Sequence, residues 1–413
     1  AIYTHSDEEI DKQIAERVVQ QVIDGLTRPV PPSAARAKEP PADKPVFKGS
    51  FEEVNEFFYR RNWTDGLPIV PPTPGKVAEF LKFTDRDPDE EVAVLPLANL
   101  RATPRNIAVN GVMAGCRPEY MPVLLAAVEA IADPKFRLKD IGNTCGCRPY
   151  LLINGPIAKQ LNFFSGTGVI SPGAKRVGDT GKASPNTTIG RALHLIIQNI
   201  AGFRPGVSEM AVFGHPQSFV IAEDEEGSPW EPYHMEHGFD RNTSTVTAMA
   251  WMGTIGPESE SKGATAEPHL KSIGTELRCG MHPMSYRFGE SMMVSVLIPP
   301  PIARVLKESG LSKKQVTEQI SRYSEQTVRD IDDRLVPEEH TIHQFAEMKY
   351  IPESLDVAPE KKLPAVVSPA LLHVVVCGSR ERNRTLLLFS FYTNPATRGI
   401  KLPPDWEKRL KSG

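Results

Sequence analysis

With 413 residues, 40% of them hydrophobic and 24% charged, the chain is long enough to bury a large core divided between two lobes. Its formal net charge of -3 offers no basic excess to neutralise phosphates, which argues against a nucleic-acid partner. No stretch approaches the roughly 18 apolar residues of a membrane span.

The N-terminal segment AIYTHSDEEIDKQIAERVV places acids where a secretory signal has a basic flank and an apolar centre, so a cytoplasmic protein is expected. Apolar residues at Ile10, Ile14, Val18, Val22 and Ile23 form a helical stripe. Residues 28 to 47 then hold six prolines, which predicts a stiff extended connector. A short amphipathic helix on such a tether reads as an arm, either wrapped on a neighbouring subunit or folded back on its own lobe.

The body begins with a helix at SFEEVNEFFYRR, a turn at Asp65-Gly66 and a further helix after Pro74. EEVAVLPL reads as a strand, and TPRNIAVNGVMAG and EYMPVLLAAVEAIA as consecutive helices. PYLLINGP is a buried strand, and 186 to 203 is a helix with apolar residues at Ile189, Leu193, Ile196, Ile197 and Ile200. Strands follow at SFVIAE, TVTAMAWM and SMMVSVLI, helices over 301 to 308 and 312 to 325, and final strands at ALLHVVVC and TLLLFSFY. The order predicts a mixed α/β (α+β) protein with mixed sheets. We expect a helical arm at 1–27, a proline-rich linker at 28–48, a first α/β lobe at 49–210 and a second at 211–413. GCRPEY at 115–120 and GCRPY at 146–150 echo each other, but their flanks do not align and no duplication is inferred from them.

Five cysteines are an odd number for a disulfide framework, so free thiols are the default. Cys145 and Cys147 form a Cys-x-Cys pair that can offer two thiolates to a soft metal or an iron–sulfur cluster, with Cys116 or Cys279 as further ligands. The same pair could instead exchange disulfides, or simply pack as small apolar side chains. Between His215 and His237, His215, Glu223 and His234 are candidates for moving protons, set on a strand and a proline-bent loop. The glycine-rich segment 165–191 carries Lys175 and Arg176 and runs into a helix start at Asn186 and Thr187, a place suited to a substrate's negative charge. It matches no nucleotide-binding pattern, and no nicotinamide or flavin motif is present.

NWTDGLPIVPPT, VNGVMAGCRPEYMPVLLAAVEA, LLINGPI, NTTIGRALHLIIQNI, AEDEEGSPWEPYH and TRGIKLPPDWE together resemble an uncharacterised bacterial family associated with the UGSC selenoprotein-like group. The resemblance covers most of residues 50 to 410 and implies no particular catalytic residues. The chain departs from it at Cys145-Gly-Cys147, at Pro300-Pro301-Ile302-Ala303, where a histidine-bearing turn is expected, and at His237, where arginine is expected. The functional expectation is a cytoplasmic enzyme subunit, homo- or hetero-oligomeric through its arm. It would act on a small anionic molecule by metal- or cluster-assisted addition, elimination or hydrolysis. The alternatives are a thiol–disulfide oxidoreductase using Cys145 and Cys147, and a non-catalytic assembly subunit.

Overall fold

The computed structural model describes residues 12, 14–27, 45–171, 185–215, 217–257, 265–281, 284–334 and 341–412. The chain divides into two units, residues 1–46 and 47–413. In the first unit, a wide turn at Ile14–Val18 continues into an α-helix at Val19–Thr27. Ile14, Val18, Val22, Ile23 and Leu26 are all exposed on it.

The second unit opens with helices α1 (Phe51–Arg60) and α2 (Pro74–Leu81) and a small hairpin of β1 (Ala93–Leu95) and β2 (Leu100–Ala102). Helices α3 (Pro104–Met113) and α4 (Met121–Ile131) follow, then β3 (Arg148–Asn154), α5 (Pro185–Ile196), β4 (Val220–Ala222), β5 (Thr245–Trp251) and β6 (Gly253–Ile255). The remainder holds α6 (Ala266–Met281), β7 (Met292–Ile298), α7 (Pro300–Glu308) and α8 (Lys313–Tyr323). A two-residue ladder of β8 (Gln326–Thr327) and β9 (Lys362–Leu363) precedes β10 (Leu372–Val376), β11 (Leu386–Phe391) and β12 (Ala396–Gly399).

Two four-stranded sheets form the centre, in the orders β12-β5-β3-β4 and β10-β7-β11-β6. Their wiring is the same. β3 is parallel to β4 and antiparallel to β5, which is antiparallel to β12. Likewise β7 is parallel to β10 and antiparallel to β11, which is antiparallel to β6. The edge strands are exchanged: β6 follows β5 in the chain but joins β11, and β12 follows β11 but joins β5.

The repeat reaches the sequence at INGPIAK (153–159) and IPPPIAR (298–304), which end β3 and β7 and turn into helices at Ile157–Gln160 and α7. This match pairs Tyr150 with Ser295, and the Tyr150 hydroxyl donates to the Ser295 hydroxyl. A residue touching its own counterpart is what an approximate two-fold axis between the sheets requires. The GCRPEY and GCRPY segments have no such relation: one follows α3 and the other opens β3.

Side chains alternate across the strands. Tyr150, Leu152, Phe219, Ile221 and Met249 of the first sheet meet Met293, Leu297, Val375 and Leu388 of the second. The outer faces pack on helices: Leu151, Ile153, Val220 and Ala248 lie in one cluster with residues of α4 and α5. Val294, Val296, Val374 and Leu387 lie in another with residues of α6 and α8. The result is four layers, helices outside and two sheets inside. All seven residues of β7 are buried. Covering both faces explains its continuous apolar run, and each large side chain contributes roughly 1.5–3 kcal/mol by burial. The division expected between 210 and 211 falls between β3 and β4, neighbours in one sheet.

Helix α6 had no sequence expectation, because Pro268, Gly274 and Gly280 weaken its pattern. Its Leu270, Ile273 and Leu277 are fully buried on one stripe. Gly274 is there for contact: a Cβ would come within 2.6 Å of the Tyr323 side chain and 2.8 Å of the Ile320 carbonyl on α8.

Candidate functional site

The parallel pairs β3/β4 and β7/β10 all end at one side of the molecule, and polar side chains collect where the first pair ends. Asn154 closes β3, and Glu223 follows β4, whose last residue Ala222 pairs with Ile153. The Asn154 amide donates to Glu223 Oε2 at 2.6 Å and to Glu225 Oε1 at 3.0 Å. The Tyr233 backbone N–H also donates to Glu223 Oε2, at 2.7 Å. Lys313 enters from the first turn of α8. Ser312 caps that helix, its hydroxyl accepting from the Gln315 N–H while the Gln315 side chain accepts from the Ser312 N–H. Lys313 Nζ lies 3.5 Å from Glu223 Oε1 and 2.7 Å from Glu236. His234, fully buried, places Nδ1 3.8 Å from Glu225 Oε1, and its Nε2 meets the Asp240 carbonyl at 3.2 Å.

Four buried polar atoms of this cluster have no hydrogen-bond partner among the described residues: Asn154 Oδ1, Glu223 Oε1, His234 Nδ1 and Lys313 Nζ. The approach of Lys313 to Glu236 is an ion pair without hydrogen-bond alignment. An unanswered buried polar atom costs roughly 1–3 kcal/mol; here Glu223 Oε1 and Lys313 Nζ answer each other as an ion pair, which leaves Asn154 Oδ1 and His234 Nδ1 open to a further polar group. Burial pushes the Glu223 carboxyl above its ordinary range; Lys313, the Tyr233 N–H and Asn154 pull it partly back. Behind it, the buried Tyr233 hydroxyl meets His373 Nδ1 at 3.1 Å and its ring stacks on His237 at 4.3 Å. Burial holds His373 down to about 3.

A cavity of about 350 Å³ adjoins Asp224, the chain neighbour of Glu223, and is lined by Phe164, Ser165, Gly166, Thr167, Asp224, Ser379, Arg380 and Glu381. It lies beyond the ends of β4 and β10, the side where open α/β sheets bind ligands. Asp224, the residue after Glu223, accepts from the Arg380 guanidinium through both carboxylate oxygens, at 2.7 and 2.6 Å. The Asp224 N–H donates to the Val376 carbonyl, tying the ends of the two sheets together.

Of the residues singled out in sequence, Glu223 and His234 fall in this cluster, joined through Asn154 and Glu225. His215 does not; its ring packs on Trp251, at the far end of β3. Lys175 and Arg176 lie outside the described residues. Asn186 is buried and structural: it accepts from the Phe164 N–H and donates to the Phe164 and Val220 carbonyls, which pins the cavity-lining segment to β4. Thr187, next to it, is exposed.

The cysteines occupy different surroundings. Cys116 is buried beside Thr188 and Arg191, and its thiol is pushed up to about 12 by burial. Cys147 is buried near the Phe391 carbonyl, its thiol also raised, while Cys145 beside it is half-buried. Cys279 is exposed on α6. Among the described residues no group of three or more His, Cys, Asp or Glu side chains is arranged to hold a metal ion. The four cysteines thus do not converge as one ligand set, and raised thiols favour packing over nucleophilic exchange.

Sequence reasoning missed Asn154, Lys313 and Tyr233. Lys313 stands at the start of the helix expected over 312 to 325 and Asn154 in the expected strand PYLLINGP, so nothing local marks either. No family model matches the chain, and no curated protein matches it either.

Proposed function

We propose that the chain is an enzyme, or the catalytic subunit of one, performing acid–base addition, elimination or hydrolysis on a small anionic molecule at Glu223. The observation that carries this reading is the buried Glu223 carboxyl joined to Asn154 and Lys313, beside Asn154 Oδ1 and His234 Nδ1, which have no hydrogen-bond partner among the described residues. A carboxyl raised by burial can hold a proton nearer neutrality and pass it to or from a bound molecule. Lys313 supplies a cation for the oxygens on which charge develops, and Asn154 orients the carboxyl. No step is routed through a metal or an iron–sulfur cluster, because the cysteines expected to hold one do not converge.

The test is a thermal-shift panel of small carboxylates and phosphates on the wild type, Lys313→Met and Glu223→Gln, followed by NMR of any stabilising compound for turnover. We expect a compound that raises the wild-type Tm, loses its effect in Lys313→Met, and is turned over by wild type but not by Glu223→Gln. A compound turned over equally by all three would contradict the reading.

Assembly through the arm is a second reading, favoured by the exposed stripe of Ile14, Val18, Val22 and Leu26. Removal of residues 1–46 would then lower the oligomeric state seen by light scattering, and an unchanged mass would count against it.

A further inference from the structure

The other end of β3 carries a second set of orphaned groups. Arg148 opens the strand and lies directly opposite Trp251 in the antiparallel ladder with β5, so the two side chains leave the sheet on the same side. Arg148 is only 5% exposed, and one terminal nitrogen of its guanidinium is held by the equally buried Glu209 at 2.6 Å. Its Nε has no hydrogen-bond partner among the described residues, and neither has Trp251 Nε1; both atoms are buried. The His215 ring packs on Trp251 at 4.5 Å between centroids. A guanidinium presents its donors as a planar fork, and here Glu209 takes one side and leaves Nε for another acceptor.

Two buried donors on facing residues, neither with an acceptor among the described residues, are costly, and a negatively charged oxygen reaching both would relieve both. We propose that Arg148 Nε and Trp251 Nε1 bind one oxygen of a small oxyanion, a carboxylate or inorganic phosphate, with His215 against its outer side. The site is separate from the Glu223 cluster: the seven residues of β3 put roughly 20 Å between Arg148 and Asn154. It gives His215 a binding role in place of the proton-transfer role expected from sequence. Two crossing segments lie beside it, tied by hydrogen bonds from the Met210 N–H to the Gly142 carbonyl and from the Val212 N–H to the Thr144 carbonyl.

The test is calorimetric titration of the intact protein with acetate, inorganic phosphate and sulfate, alongside NMR of the indole N–H resonances. Arg148→Lys keeps a cation for Glu209 and removes the Nε donor; Trp251→Phe removes the second donor and identifies its resonance. We expect one of these anions to bind saturably, to move the Trp251 resonance, and to bind at least about tenfold more weakly in either variant. Comparison of acetate with phosphate and sulfate distinguishes a carboxylate site from a tetrahedral-anion site. The proposal is overturned if none of the three anions moves the resonance, or if binding is unchanged in Trp251→Phe, which decides the matter should Arg148→Lys fail to fold. Either result would leave the donors to buried water.

Discussion

Where β3 and β4 end, the first sheet presents Asn154 and Glu223; at the matching positions of the second sheet, after β7 and β10, stand Pro299 and Cys377. The backbones run alike, with the same parallel pair and the same turn into a helix. The first end is loaded with unsatisfied polar atoms. The second is closed: Pro299 opens α7 without a side-chain cap, and burial pushes the Cys377 thiol far above its usual range. The frame occurs twice, and only its first copy carries the cluster at which we propose chemistry. The second half contributes from outside its sheet, by sending Lys313 from α8 across to Glu223.

The sharpest way to break this contrast is to substitute both ends. Glu223→Gln should lower turnover of the substrate by about 10²–10⁴-fold with little loss of fold, as expected for a proton-transferring group. Its counterpart Cys377→Ala should cost about 1–2 kcal/mol of stability and leave turnover within a few-fold. Equal loss of turnover in both would remove the asymmetry.

The first half also holds the buried ion pair of Arg148 and Glu209. Glu209→Ala leaves Arg148 uncompensated, and urea unfolding should show a loss of roughly 3–5 kcal/mol. A loss under about 1 kcal/mol would mean that water already reaches Arg148.

Acid acts on both halves. Burial lowers His194 from 6.5 to about 4 and His373 from 6.5 to about 3. Their folded values lie below the unfolded one, so the unfolded chain binds more protons in that interval. The stability they contribute is complete above 6.5 and is lost as pH falls towards those folded values. Glu223, raised in the fold, works in the opposite sense, so Glu223→Gln should steepen the decline. Urea midpoints compared at neutral and mildly acidic pH, for wild type, His194→Asn and Glu223→Gln, check both signs; a decline unchanged in both variants would contradict them. The smallest effect belongs to the exposed Cys279, where Cys279→Ser should shift stability by no more than about 0.5 kcal/mol in the same assay.

The strands were readable because both faces of β3 and β7 are covered, which leaves unbroken apolar runs such as MMVSVLI. The repeat was equally present, in INGPIAK and IPPPIAR, but seven residues are too short to stand out, and the exchange of β6 and β12 hides it from any reading in chain order. Helix α6 was lost to its glycines: Gly274 serves contact with α8, and Gly280 contact with Ile255 of β6. In the site, Glu223 and His234 drew notice as titratable groups close together in sequence. Lys313 lies far along the chain from them, and nothing local marks it. Cys145 and Cys147 drew attention by nearness in sequence, which says nothing of where a third sulfur lies.

The most direct test of the central claim needs no substrate. In protein labelled with ¹³C at the glutamate carboxyls, NMR across acid pH should show one carboxyl titrating above the ordinary value of 4.5, absent from Glu223→Gln and moved still higher in Lys313→Met. If every glutamate titrates at or below that value, or if the raised carboxyl survives in Glu223→Gln, Glu223 is not the proton-holding group and the account fails.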